Sequence, residues 1–222
     1  MTSIIIKEVK TKKEIKDFIV FPTKLFKDVP NYCPCFYSDE LKVLNRLTTY
    51  EKESKTIFYI AYKDNKVVGR IQALIQYTYN NKMNIKQARF TRFDCINDFE
   101  VAKALFDSAI KWAISEGMES IVGPLDYSDL EREGLLIEGF EELSTFEEQY
   151  NYPYYQTLIE NYGFEKEVDW FERKLYLPKE ENTRLARLSN IIMKRFKLKF
   201  GESKNTDDFI KKYADKFFDI LD

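Results

Sequence analysis

The 222-residue chain contains no histidine. That absence excludes Ser-His-Asp and Cys-His nucleophile systems, and with them the usual histidine-containing zinc sites. Acid–base chemistry must fall to carboxylates, tyrosine, cysteine, lysine, water or a group of the substrate. Cysteine is also scarce: Cys33, Cys35 and Cys95 are the three. Cys33 and Cys35 form C-P-C, not the C-x-x-C of a redox pair. An odd count without a secretory leader predicts reduced thiols in a cytoplasmic protein, and three thiols without histidine predict no metal site. Long apolar runs are missing. The opening MTSIIIKEVK has three consecutive isoleucines before charge returns, too short for the apolar region of a signal peptide. No stretch approaches the ~18 apolar residues of a membrane span. Charge of one sign is missing too: 35 basic against 37 acidic side chains give a net charge of −2, with no general attraction to nucleic acid.

What the chain has is apolar mass. Apolar residues are 44% of it, with 18 Phe and 15 Tyr, enough for a large core. Residues 4–9 read as a strand. Thr11 and Glu14 have capping-box spacing ahead of a helix that Pro22 ends or interrupts. After the loop containing Pro30 and Pro34, a second helix is expected over 38–47, starting at Ser38. TIFYIAY (56–62), a turn over 63–66 and VVGRIQALIQY read as a hairpin, with Gly69 marking a bulge or a close backbone approach. A polar connection, NNKMNIK, leads to the strand QARFTRFDC (87–95). A long helix then runs from about 98 to 116 and stops at Gly117. Its apolar face comprises Val101, Ala102, Leu105, Phe106, Ala109 and Trp112. A short strand, 119–124, is broken by Gly123-Pro124. Residues 125–152 are a long connection, with nine acids and one Arg between 126 and 148. Loops of that length inside a compact domain are usually functional or cover something. A helix over 153–164 ended by Gly163 and a strand over 165–177 follow. Pro178 marks a boundary. Beyond it lie a basic helical segment, with six basic residues and no acid from 183 to 200, a polar turn and a last amphipathic helix capped by Thr206 or Asp207. The fold class expected is α/β: a mixed central sheet flanked by helices, with a C-terminal helical extension.

Several residues stand out chemically. Strict alternation along 87–95 places Phe90, Arg92 and Asp94 on one side, where Arg92 and Asp94 would pair. Asp94 is either that salt-bridge partner or a base for an amine. Asp126 and Asp129 sit where a strand meets the acidic loop, a junction type that often carries function and that would attract a cationic amine. The junction CINDFEVAK offers no glycine and no basic residue before Lys103. Asn97 is expected to cap the long helix with Glu100 as its reciprocal partner. The orphan N–H groups that could hold a phosphate would then be taken by the chain's own side chains.

The order of elements, with FYIAYKDNKVVGRI and TLIENYGFEKEVDWFERKL, resembles the GNAT-type acyl-CoA-dependent N-acyltransferases over about residues 4–177. FPTKLFKDVPNYCP, the segment from Ala88 to Asp129, and NYPYYQTLIENYGFEKEVDW resemble a poorly characterised bacterial branch of them, whose members often carry two GNAT-like units. The resemblance implies residues 1–178 as the GNAT-like domain and 179–222 as an extension. KLKFGESKNTDDFI (197–210) echoes IKEVKTKKEIKDFI (6–19), as the start of a second unit would; a helical appendage that packs on the domain or on another subunit is the alternative. The resemblance further implies acyl transfer from acyl-CoA or acetyl-CoA to an amine, with a catalytically inactive binding or assembly module as the other reading. Family members hold the cofactor diphosphate on Q/R-x-x-G-x-G/A, which this chain lacks. Cys95 and Ile96 at the strand end, with Arg92 and Lys103, are its candidate cofactor contacts. The family's oxyanion donor, a main-chain N–H of this strand, would fall at Phe93 to Cys95. The family's leaving-group tyrosine falls on Ile159, with Tyr155 one turn earlier as the substitute. Asp94, Tyr155 and Asp126 are thus the catalytic candidates, and a homodimer through the C-terminal extension is the expected assembly.

Overall fold

The computed structural model describes residues 3–128, 130–146, 148–176 and 182–221. It divides into two compact units, Met1–Trp170 and Phe171–Asp222. The first holds five strands, β1 (Ile5–Glu8), β2 (Ser54–Lys63), β3 (Lys66–Gln76), β4 (Gln87–Cys95) and β5 (Ser120–Val122), ordered as in sequence. β1 to β4 are antiparallel, while β5 runs parallel to β4. The return from β4 to β5 needs a crossover, supplied by helix α4 (Phe99–Ser115).

Helices α1 (Lys12–Leu25) and α2 (Tyr37–Leu44) pack Phe18, Ile19, Val43 and Leu44 on one face of the sheet, against Phe58, Ile60 and Leu74. On the other face, α4 and α5 (Tyr154–Tyr162) cover Ile71, Ala73, Phe90 and Phe93. The expected mixed sheet with helices on both faces is therefore present. The apolar stripe of α4 is buried over its whole length, from Val101 to Ala113. Each fully buried Leu or Phe there contributes about 1.5–3 kcal/mol relative to exposure. The capping box of Thr11 and Glu14 is formed, and Gly163 ends α5 in the left-handed conformation.

Other elements differ from expectation, each for an identifiable reason. The 80–86 segment is not wholly a connection: it shares a helix, α3 (Tyr77–Met83), which Asn84 terminates at φ 53°. Its few apolar residues follow no helical period, so the pattern was silent. α2 begins at Tyr37, after Phe36, and has no side-chain cap. Pro22 lies inside α1, which continues to Leu25. Residues 165–176 form no strand, and Leu177 lies outside the described residues. Among the described residues their strand-like alternation has no ladder to join: β5 is three residues long and pairs with β4. Val168, Trp170, Phe171 and Leu175 stay exposed in consequence.

The second unit contains α6 (Thr183–Arg195), capped by Asn182, and α7 (Thr206–Leu221). Asn205, not Thr206 or Asp207, accepts the N–H of Asp208 at the start of α7. The helical half of the 197–210 echo is thus formed; residues 197–200 form no strand. Ile191, Phe196, Phe217 and Phe218 are exposed.

Gly69 sits at the register shift between β2 and β3 and also faces a close approach. A Cβ there would lie 2.8 Å from Leu105 Cδ1 and 3.1 Å from the Asp94 carbonyl oxygen. Gly69→Ala should therefore overpack the α4–sheet contact and lower stability by about 1–3 kcal/mol in urea unfolding.

Candidate functional site

β4 carries one residue more than β3 opposite it. Arg70 pairs with Asp94 and Gln72 with Thr91, so two β4 residues, Arg92 and Phe93, face the single residue between the β3 partners. Arg92 adopts φ 46°, a sparsely populated conformation for a non-glycine residue. The bulge resets alternation. Phe90 and Phe93 enter the same core, and Asp94 faces away from both. The expected grouping of Phe90 with Arg92 and Asp94 is thereby corrected, as is the expected Arg92–Asp94 pair.

The pairs that form are others. Arg70 Nε donates to Asp94 Oδ2 at 2.7 Å, and its Nη1 lies 3.5 Å from Glu40 Oε2. Arg92 donates to Glu40 at 3.0 Å, to Gln72 Oε1 at 2.8 Å and to Asp126 Oδ2. Arg70 Nη1 also donates to the carbonyl of Phe18 at 3.1 Å. That carbonyl is free because Pro22, four residues on, has no N–H to offer it. The helix proline thus supplies an acceptor for a buried guanidinium. Gln72 donates to Thr56 and to the Tyr127 hydroxyl, which extends the network. A cavity of about 10 Å³ lies beside it, lined in part by Tyr32, Cys35, Glu40 and Arg70.

Two guanidinia and three carboxylates give this cluster a formal charge of −1 if all are ionised. Burial pushes the Asp126 carboxyl above its ordinary range, against the pull of Arg92. Burial acts on Glu40 in the same sense, but Arg92 and Arg70 outweigh it and hold that carboxyl low. The two carboxyls are thus shifted in opposite directions within one cluster, Asp126 by burial and Glu40 by its two guanidinium partners.

Behind Asp94, two tyrosines of α5 clamp the end of β4. The Tyr155 hydroxyl accepts the Cys95 N–H at 3.2 Å and donates to Asp94 Oδ1 at 3.2 Å. The Tyr154 hydroxyl donates to the Cys95 carbonyl at 2.7 Å. Burial first, then the Asp94 charge, raises the Tyr155 hydroxyl well above its ordinary pKa. Burial likewise raises the Cys95 thiol. Here β4 and β5 have already parted: their pairing ends at Arg89 and Val122, and the Leu125 N–H goes to the Phe90 carbonyl.

Asp94, Tyr155, Cys95, Arg92 and Asp126 thus belong to one connected network. Ile96 follows it immediately and is half-buried. Lys103 lies apart on the exposed face of α4, paired with Asp107 at 2.6 Å. Asp129 lies outside the described residues. Sequence reasoning missed Glu40 and Arg70. The α4 cap is Asp98, not Asn97: Asp98 accepts the Glu100 N–H at 3.0 Å and holds Lys63 at 2.8 Å.

No protein-family model matches the chain. Protein YghO of Escherichia coli K12 is 31% identical over 166 residues, 73% of this chain and 43% of that protein. A bacterial ceramide synthase of Caulobacter vibrioides is 28% identical over 168 residues, 75% of this chain and 44% of that protein. The chain spans less than half the length of the curated relatives it matches. Among solved structures, an aminoglycoside N-acetyltransferase in complex with CoA aligns with 78% of this chain and 96% of its own, at 15% identity and a TM-score of 0.49. A predicted acetyltransferase from Clostridium acetobutylicum, solved with acetyl-CoA, covers the same shares at 14% identity and a TM-score of 0.47. Among the described residues, no helix is long and apolar enough to cross a membrane.

Two substitutions test the network. Tyr155→Phe keeps the ring but strands the Cys95 N–H and one Asp94 oxygen, at a cost of about 1–3 kcal/mol in denaturant unfolding. Glu40→Gln removes one partner of a buried pair and should cost about 3–5 kcal/mol at neutral pH. Glu40 has a depressed folded-state pKa, so its stabilisation is full above the ordinary value of 4.5 and disappears as pH falls through the folded value. Stability measured from pH 6 to 2 should therefore fall less steeply below 4.5 in Glu40→Gln than in the wild type.

Proposed function

We propose that the chain is the GNAT-like part of an N-acyltransferase, moving an acyl group from an acyl-CoA to an amine. The observation that carries this reading is the Asp94–Tyr155–Cys95 connection at the point where β4 and β5 part. It is supported by the sequence relationship to a bacterial ceramide synthase, since ceramide is itself an amide. Acyl transfer requires a main-chain donor for the oxyanion, an acid for the leaving thiolate and a base for the amine.

Each role has a candidate. The Cys95 N–H is the oxyanion donor once the Tyr155 hydroxyl yields it. Tyr155, beside that donor, turns its one O–H from Asp94 to the departing sulfur and gives that proton to the thiolate as the C–S bond breaks. Asp126, its carboxyl raised by burial, takes the proton lost by the amine as the C–N bond forms. Asp94, fixed by Arg70, orients the Tyr155 hydroxyl. Arg92 is better suited to hold Glu40 and Asp126 than a cofactor phosphate, because its guanidinium is turned into the network. The protein is assigned to the cytoplasm on its cysteine usage, and the 179–222 segment pairs two copies through exposed Ile191 and Phe217. Under that assignment, Ile191→Glu with Phe217→Glu lowers the sedimentation mass to that of one chain, and an unchanged mass refutes the pairing.

One observation favours a non-catalytic binding module instead: the Cys95 N–H and the first turn of α4 already have partners within the chain. Calorimetry separates the two readings. An acyltransferase binds acetyl-CoA or palmitoyl-CoA at micromolar concentrations, and Asp126→Asn retains that binding while losing amide formation at least a hundredfold. No binding of either thioester up to millimolar concentration rules the enzyme out.

A further inference from the structure

The first unit has an open concavity outside the network of Arg70 and Arg92. It is a cleft of about 570 Å³ between α1, the β2–β3 turn and Ile96, within the size range of small-molecule sites. Its α1 side presents Lys13, Asp17, Phe21, Lys24 and Leu25, spaced along one face of that helix. The hairpin side presents Tyr62, Asn65, Lys66 and Val67. Lys13, Lys24 and Lys66 are exposed and have no carboxylate partner among the described residues. The carboxylate of the cleft, Asp17, accepts the Tyr62 hydroxyl at 3.4 Å. On a chain with net charge −2, three unneutralised lysines around one concavity form a local reversal of sign. Their floor, Phe21, Leu25, Val67 and Ile96, is apolar.

We infer that this cleft binds the diphosphate of a phosphorylated, chain-bearing cosubstrate, with the three lysines as its phosphate contacts. The inference rests on the acyl-CoA reading and deepens it. At the usual place for such a diphosphate, the N-terminus of α4, the Asp98 cap carboxylate already accepts the Glu100 N–H and holds Lys63. The cleft sets three lysines against one carboxylate, Asp17, which is engaged with the Tyr62 hydroxyl. It also lies where a bound thioester can reach the chemistry, because Ile96, one of its walls, directly follows Cys95. Phosphates on the lysine rim leave the attached chain to run along the apolar floor toward the end of β4.

The test is calorimetry of the full chain with two probes, inorganic pyrophosphate and palmitoyl-CoA. Two triple variants are compared. Lys13→Ala/Lys24→Ala/Lys66→Ala removes the rim. Lys16→Ala/Lys52→Ala/Lys111→Ala removes the same total charge from exposed positions elsewhere. All six lysines are exposed, so both variants should keep the wild-type melting temperature. The expected result is weaker binding of both probes to the rim variant by about tenfold or more, steeper weakening of wild-type binding as salt rises, and wild-type affinity in the charge-matched control. Equal losses in both triples, or none in the rim variant, overturn the inference while acyl-CoA binding persists. Rim-dependent binding of pyrophosphate with no binding of palmitoyl-CoA, nor of acetyl-CoA titrated in the same way, leaves the anion site standing and overturns the acyl-transfer reading. Binding of none of the three overturns both.

Discussion

Arg70 ties together four elements at one point. Its guanidinium leaves β3, grips Asp94 on β4, reaches Glu40 on α2 and takes the Phe18 carbonyl on α1, with the Phe18 ring 4.9 Å beneath it. Removing such a charge from water costs several kcal/mol, and the Coulombic return offsets that only if each donor finds an acceptor. The acceptors here come from sequence-distant places, one of them released by a proline inside a helix. Geometry at the end of β4 is therefore fixed by polar contacts rather than by apolar packing alone. An apolar core could have held these helices as firmly. The retention of five ionisable groups at one bulge is the strongest indication that this end of the sheet has a task beyond stability.

The strain at Arg92 belongs to the same arrangement. A non-glycine residue at φ 46° costs on the order of 1–3 kcal/mol and persists only where its surroundings over-determine it. Glu40, Gln72 and Asp126 do so together, through hydrogen bonds to one guanidinium. Without the bulge, strict alternation from Phe90 would send both Phe93 and Asp94 to the wrong face. With it, Phe93 joins the aromatic packing around Phe106 while Asp94 meets Arg70. One inserted residue thus serves the core on one side of the sheet and the ionic network on the other.

What the sequence revealed follows from which forces are periodic. The α4 stripe, the hairpin at Asp64-Asn65 and the Gly163 stop were legible because each has a local signature, and the mixed sheet between helices followed from their order. The bulge was not, since an arginine at positive φ looks like any strand residue. Asp94, Asp126, Tyr155, Arg92 and Cys95 stood out by position, but Glu40 and Arg70, which link them, did not. Glu40 reads as an ordinary first-turn acid and Arg70 as the polar side of a strand; only the tertiary fold buries both. The 165–176 segment failed in the opposite way. It has strand chemistry, but a strand needs a neighbour with free N–H and C=O groups, and β5 provides three residues. A local pattern cannot register that shortage.

The Cys95 N–H is where structure and chemistry compete. With its present partner, the Tyr155 hydroxyl, it helps anchor α5 to the sheet. As an oxyanion donor it would have to exchange that partner for a substrate oxygen. The exchange is less costly than it first looks. Tyr155 keeps its bond to Asp94 when it releases the N–H, and Tyr154 still holds the Cys95 carbonyl. The anchor is thus made of two neighbouring hydroxyls, only one of which has to yield. An arriving carbonyl would replace a neutral acceptor with one that gains negative charge, and charge-assisted hydrogen bonds are the stronger kind. The same donor can therefore be satisfied in the resting protein and bind more strongly as charge develops, which is the differential that catalysis requires.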